Sequence, residues 1–281
     1  MFGHVMVPLD GSDRAEQALP YATQLAKAMA ATLHLVRVND FVVSVGWTFA
    51  PPYISPDTYE AEATRVAAYL TALRQRLEGE GLQVRSEVLT GMAALSLLDY
   101  ERAAHVDLVV MCSHGRSGVA RFALGSVADR LLRHGSAPVL LVRAFSAPLD
   151  LTRVVVPLDG SARAEAALDA LAALARTVVR EVTLLRVIGD EEEETEAQAY
   201  LTTAALRVQQ DQLTCRQRVG RGDPAATIIE AAGKDALVIM ATHGRSGLTR
   251  WALGSVADRV SREGAAGVLL VRASAAVPRS S

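Results

Sequence analysis

Two short segments, each written twice in this chain, hold the residues whose types and spacing can do chemistry. The first is Pro8-Leu9-Asp10-Gly11-Ser12, which returns as Pro157-Leu158-Asp159-Gly160-Ser161. A carboxylate there can accept a hydrogen bond from a base or a sugar hydroxyl, or hold a cation through water. The plainer reading is that Asp10 or Ser12 caps the helix that follows, and one residue can do both. The second is Ser113-His114-Gly115-Arg116-Ser117-Gly118 with Gly125-Ser126-Val127 beyond it. Its repeat is Thr242-His243-Gly244-Arg245-Ser246-Gly247 with Gly254-Ser255-Val256. Glycines between a strand and a helix let backbone N–H groups approach an anion, and the helix N-terminus adds a favourable dipole. Each feature also has a purely structural reading. Gly115 and Gly244 suit a tight turn, and Ser126 and Ser255 suit N-caps, with Asp129 and Asp258 three residues on as a capping-box variant.

Other chemistries find little support. There is no Gly-Lys-Ser/Thr phosphate loop and no Cys/His cluster with metal-ligand spacing. His114 and His243 are lone histidines after strands and read as structural rather than catalytic. Arg116, Arg121, Arg245 and Arg250 flank the glycine loops, where phosphate contact and solvated surface are equal readings.

The elements that must position these residues follow from the repeat itself. Residues 107–143 align without gaps on 236–272, with 25 of 37 positions identical, an agreement that marks duplication. Asp10 to His114 spans 104 positions and Asp159 to His243 spans 84, so the first copy is longer by 20. Most of the excess is the segment from Phe41 to Tyr53, with four aromatics and two adjacent prolines, which suits a lid, a partner contact or packing on its own domain. In the first copy, strands are predicted at 4–9, 32–38, 82–89, 107–112 and 138–143, with helices at 13–30, 57–79, 92–104 and 125–134. The second copy repeats the strands at 153–158, 181–187, 214–219, 236–241 and 267–272. Ala15, Ala18, Leu19, Ala22, Leu25 and Ala26 make one apolar helix face. Unbroken apolar runs such as Leu108-Val109-Val110-Met111 and Val139-Leu140-Leu141-Val142 suit strands buried on both faces. Alternating strands and helices imply right-handed crossovers. The expected fold is α/β: two tandem domains, 1–146 and 151–275, each a five-stranded, mostly parallel, Rossmann-like sheet with helices on both faces. A short linker from Ala144 to Leu151 argues for domains packed together. The acidic run Asp190 to Glu196 reads as a helix start and a solvated face, repulsive to a nearby polyanion.

Composition narrows the classes further. The chain has 281 residues, half of them hydrophobic and 5% aromatic, so its cores rest on Val, Leu, Ile and Ala. A formal charge of -2 and a pI near 6.3 give no electrostatic case for nucleic acid or an anionic membrane. Two cysteines, Cys112 and Cys215, make no disulfide framework. No signal-peptide pattern or apolar run of membrane length is present, and the expectation is a cytoplasmic protein.

On these residues the chain resembles the universal stress protein family, as a tandem of two UspA-type domains of the ATP-binding subgroup, with an adenine-nucleotide-alpha-hydrolase-like fold. The family motif is Gly, two residues, Gly, nine residues, Gly, then Ser or Thr. Gly115 and Gly125-Ser126 keep its last parts, as do Gly244 and Gly254-Ser255, while Cys112 and Ala241 replace the first glycine. The resemblance implies that Asp10 and Asp159 lie against the adenosine part, and that the backbone at Val38 and Val187 recognises adenine. It implies phosphate contacts at Gly115, Gly125, Ser126, Gly244, Gly254 and Ser255. Pro8, Met111, Cys112, Val127, Pro157, Met240, Ala241 and Val256 complete the implied nucleotide sites. Gly222-Asp223-Pro224-Ala225 matches a family turn before the third helix, where the first copy has Gly91-Met92-Ala93-Ala94. The implied ligand is ATP or another adenine nucleotide, with or without magnesium, in a stress-response sensor. A slow ATP hydrolase or phosphotransferase and an empty scaffold are the alternatives. As in family dimers, the closing strands Val139 to Arg143 and Val268 to Arg272 are expected to pair the domains as a pseudo-dimer, with a homodimer as a further option.

Overall fold

Four-residue runs of Val and Leu suit strands buried on both faces inside a sheet, and the closing strands of both copies meet that condition against each other. A computed structural model describes residues 2–39, 56–112, 124–143, 149–189, 194–208, 213–242, 253–264 and 267–272, with 56–60 as backbone. The first copy runs β1 (His4–Pro8), α1 (Asp13–Glu16), α2 (Leu19–Met29), β2 (Thr32–Asn39), α3 (Pro56–Gly79), β3 (Gln83–Thr90), α4 (Ala93–Ala103), β4 (Leu108–Cys112), α5 (Ser126–His134) and β5 (Val139–Val142). The second runs β6 (Asp150–Pro157), α6 (Ala166–Ala175), β7 (Glu181–Ile188), α7 (Glu194–Val208), β8 (Thr214–Arg221), α8 (Pro224–Ala232), β9 (Ala236–Ala241), α9 (Ser255–Glu263) and β10 (Val268–Val271).

All ten strands join one sheet in the order β3-β2-β1-β4-β5-β10-β9-β6-β7-β8. Pairing is parallel except between β5 and β10, where Val268 faces Leu141, Leu269 faces Leu140 and Leu270 faces Val139. The fold is therefore α/β with a mostly parallel sheet. Chain direction across the sheet reverses between β1 and β4, and again between β6 and β9. Such reversals open a crevice at the carboxyl ends of the strands.

The central strands carry the burial expected of them. Every residue of β4, β5, β9 and β10 is buried. The predicted apolar helix face is also found, with Ala15, Ala18, Leu19, Ala22, Leu25 and Ala26 all buried. The outer strands β3 and β8 alternate exposed with half-buried residues, as edge strands do.

Two arginines fasten the seam from opposite sides. Arg143 donates to the carbonyls of Gly264 at 2.6 Å and of Arg262, at the end of α9. Arg272 returns the contact, donating to the carbonyls of Gly135 and Arg133 at the end of α5. A cation at a helix C-terminus meets the unsatisfied carbonyls and the negative end of the dipole. Glycine is required where each helix ends: a Cβ on Gly135 or Gly264 would fall 2.6 or 2.5 Å from the carbonyl oxygen of Leu131 or Val260. Tyr21 on α2 adds a link, its hydroxyl accepting from the Leu149 N–H at 3.1 Å.

Two expectations need correction. The helix expected over 13–30 is two helices, because Gln17 and Ala18 donate to the carbonyls three residues back, a tighter turn than the α-helical one. Pro20, in the first turn of α2, has no N–H to rejoin the ladder. The second copy has a single helix here, α6, and turns in place of α1. Finally, the residues at the end of the expected linker already belong to β6, which starts at Asp150. Its N–H donates to Asp235 at 2.7 Å, and its carboxylate accepts from Thr152 N–H at 2.9 Å.

Candidate functional site

The turn after β1 is fastened by the two residues that the sequence singles out. Asp10 Oδ1 accepts from the Ser12 N–H at 2.9 Å and from its hydroxyl at 2.6 Å. Ser12 Oγ in turn accepts from Ala15 N–H at 3.2 Å, so Ser12, and not Asp10, is the N-cap of α1. The second copy repeats this with Asp159, Ser161 and Ala164 at the same three distances. Gly11 and Gly160 hold positive φ angles of 77° and 82°, which only glycine adopts without strain. The turn holds a carboxylate at the carboxyl end of a central strand.

Across the switch point the helix start differs from the capping-box expectation. The N-cap residues of α5 and α9 are Gly125 and Gly254, extended at φ near -60° and ψ 146°, and neither helix has a side-chain cap. Ser126 and Ser255 are the first helical residues. Asp129 and Asp258 do not reach back; they accept from Arg133 Nε at 2.7 Å and Arg262 Nε at 2.8 Å, one turn onward. The reason is the i,i+4 arginine, a stronger charge-assisted partner than a neutral N–H. The first turn of each helix therefore keeps N–H groups with no side-chain acceptor, as an anion site requires.

In the second copy these pieces enclose a cavity of about 380 Å³. Pro157 and Asp159 from β6 and its turn, Val187 on β7, Met240 and Ala241 on β9, and Gly254, Ser255 and Val256 at α9 all line it. Every site residue expected in the second copy is thus brought together, apart from Gly244, which lies outside the described residues. Leu158, Ile188 and Ile228 give it apolar walls. Pro224 joins them, from the turn whose Asp223 caps α8 by accepting from Ala226 N–H at 2.8 Å. The volume falls within the range of small-molecule sites.

In the first copy, Pro8 ends β1, Val38 is one residue from the end of β2, Met111 and Cys112 end β4, and Gly125 caps α5 ahead of Ser126 and Val127. Burial first, and then the charge of Asp10, push the Cys112 thiol up to about 12. Gly115, His114, His243, the four loop arginines and the Phe41–Tyr53 insert lie outside the described residues, as do positions 190–193 of the acidic run. Glu194 and Glu196 of that run do sit in the first turn of α7.

The universal stress protein family model matches this sequence twice, over residues 1–143 and 151–272. The chain belongs to the universal stress protein family. A universal stress protein of Mycolicibacterium smegmatis is 29% identical over 287 residues, covering 95% of this chain and 96% of its own. One from Mycobacterium tuberculosis is 27% identical over 303 residues, covering 95% and 94%. The crystal structure of a universal stress protein from Archaeoglobus fulgidus superposes with a TM-score of 0.77 at 16% identity, over 98% of this chain and all of that one. That likeness concerns the fold.

This universal stress protein also carries, in both copies, a buried group of polar residues that motif reading missed. Arg37 on β2 and Arg186 on β7 are 8% and 6% exposed, each one residue before the expected adenine position. Arg37 lies over the ring of Tyr69 at 5.5 Å, and Arg186 over that of Tyr200 at 5.2 Å. Tyr69 donates to Glu16 at 2.8 Å and Tyr200 to Glu165 at 3.3 Å. Burial, then Glu165, then Asp159 push the Tyr200 hydroxyl up to about 12, and Tyr69 is raised by burial and Glu16 in the same way. The available signal was an arginine inside two matched apolar runs, Leu35-Val36-Arg37-Val38 and Leu184-Leu185-Arg186-Val187.

Proposed function

We propose that this protein binds an adenine nucleotide, ATP in the first instance, and acts as a regulatory module in a stress response. The observation that carries this reading is the cavity between β6, β7, β9 and α9. One end offers the N–H groups of Ser255 and Val256 to an anion, and the other offers an apolar wall and a carboxylate to a nucleoside. A phosphate chain fits the first end, where charge-assisted bonds need no side-chain cation. The base fits against Val187 and Ile188, with ribose near Asp159. Each of the two expected domains, 1–146 and 151–275, carries its own site in this reading, and regulation rather than turnover is the activity. Asp159 supports that preference, since its carboxylate already holds the Ser161 turn.

The test is isothermal titration of the purified chain with ATP, together with phosphate-release measurements on the same samples. Saturable heat without sustained phosphate release supports the proposal. Absence of heat overturns it, and release abolished by Asp159→Asn with binding retained would make the protein a hydrolase.

A further inference from the structure

Arg186 is the second feature of the cavity that no motif accounts for. It is among the residues that line the cavity, although it is only 6% exposed. Among the described residues no carboxylate stands within ion-pair distance of it; the ring of Tyr200, 5.2 Å away, is its neighbour. Its counterpart Arg37 has Glu62 at 3.8 Å and packs its guanidinium against Gly11, where an added Cβ would meet Nη1 at 2.3 Å. A buried cation without an ionic partner is costly to hold unless something else meets it. A planar guanidinium can stack on an aromatic ring and offer its donors and second face to another π-system.

We propose that Arg186 is a nucleoside-contacting residue, its guanidinium stacked between Tyr200 and the base of the bound nucleotide. The position on the sheet decides for base over phosphate. β6 separates β7 from β9, so Arg186 lies on the far side of Asp159 from the N–H groups at the start of α9. A ligand whose anionic end occupies Gly254-Ser255 brings its other end to Asp159, Arg186 and Val187. Tyr200 is the platform and Glu165, which accepts from its hydroxyl, holds the platform in place.

This inference rests on the nucleotide reading of the cavity, and the test separates the two. ATP, adenosine and inorganic tripolyphosphate are titrated into the full chain and into Arg186→Met, which keeps the apolar stem, and Arg186→Lys, which keeps the charge. Circular dichroism and thermal unfolding establish that each variant is folded. Loss of roughly tenfold in affinity for the second-copy site is expected for both ATP and adenosine in Arg186→Met. Tripolyphosphate binding is expected unchanged, and Arg186→Lys is expected between the two. Equal affinities in wild type and Arg186→Met overturn the role of Arg186 alone. A loss confined to ATP and tripolyphosphate, with adenosine unaffected, overturns it in favour of a phosphate contact. A wild-type chain that binds neither ATP nor adenosine overturns both readings. If neither variant folds, Tyr200→Leu is measured with the same ligands, and an unchanged adenosine affinity there overturns the stack.

Discussion

Moving the helix cap by one residue, from Ser255 to Gly254, changes what the first turn of α9 can do. A capping serine would spend its oxygen on the helix; a serine one place later leaves that turn to a ligand. Ser12 is a true cap, and Ser12→Ala should lower stability by about 1 kcal/mol. Ser255→Ala should change stability by less than about 0.5 kcal/mol while weakening ATP several-fold; denaturant melts and titration read the two effects separately. Sequence alone could not place this cap, because serine one residue before or after a helix start looks the same in the chain. What it did supply was the pairing of Asp10 with Ser12 and of Asp159 with Ser161, whose short spacing allows the bond that forms. His34, fully buried, was not singled out. Its Nε2 meets His4 Nδ1 at 3.0 Å and its Nδ1 meets Tyr100 at 2.9 Å. Burial first, then the charges of His4 and Arg85, lower it from 6.5 to about 4. The unfolded chain thus takes up the proton first as pH falls. The stability that neutral His34 contributes is complete above about 6.5, and is lost as pH falls through about 4. Between pH 7 and pH 4.5, wild type should lose roughly 2 kcal/mol more than His34→Gln, as read by urea unfolding at each pH.

Elements were legible wherever a hydrophobic period ran unbroken and less so where a side chain far away in the chain fixed an end. The strand β9 runs over the expected residues, and most other strands differ by one or two at their ends. The turn from α5 into β5 shows why ends are harder. Glu101, on α4 and 2% exposed, has one carboxylate oxygen accepting from Ser136 N–H at 2.5 Å, its hydroxyl at 2.8 Å and Ala137 N–H at 2.9 Å. Nothing local in the sequence marks this residue 35 positions away. Glu101→Ala would strand buried donors and should destabilise the protein by roughly 3 kcal/mol. Glu230, its counterpart on α8, pairs with Arg218 at 3.1 Å on the surface, and Glu230→Ala should cost under about 1 kcal/mol. Equilibrium unfolding of the two variants side by side checks the contrast.

Across the whole molecule, duplication and the apolar closing strands made the seam foreseeable, while the arginines that lock it did not stand out among many charged surface residues. Leu140 and Leu269 face each other across β5 and β10 and are each 1% exposed. Either leucine changed to alanine should cost about 2–5 kcal/mol. Because one sheet runs through both copies, that loss should reach each of them: hydrogen exchange of Leu269→Ala is expected to speed up in β1 as well as in β6. The central claim, however, is that the cavity bounded by β6, β7, β9 and α9 holds an adenine nucleotide. Native mass spectrometry of the intact chain in ATP, beside a Gly254→Val variant that crowds the start of α9, tests it most directly. The account predicts ATP adducts on wild type and one fewer on the variant; no adduct, or an adduct count that Gly254→Val leaves untouched, would contradict it.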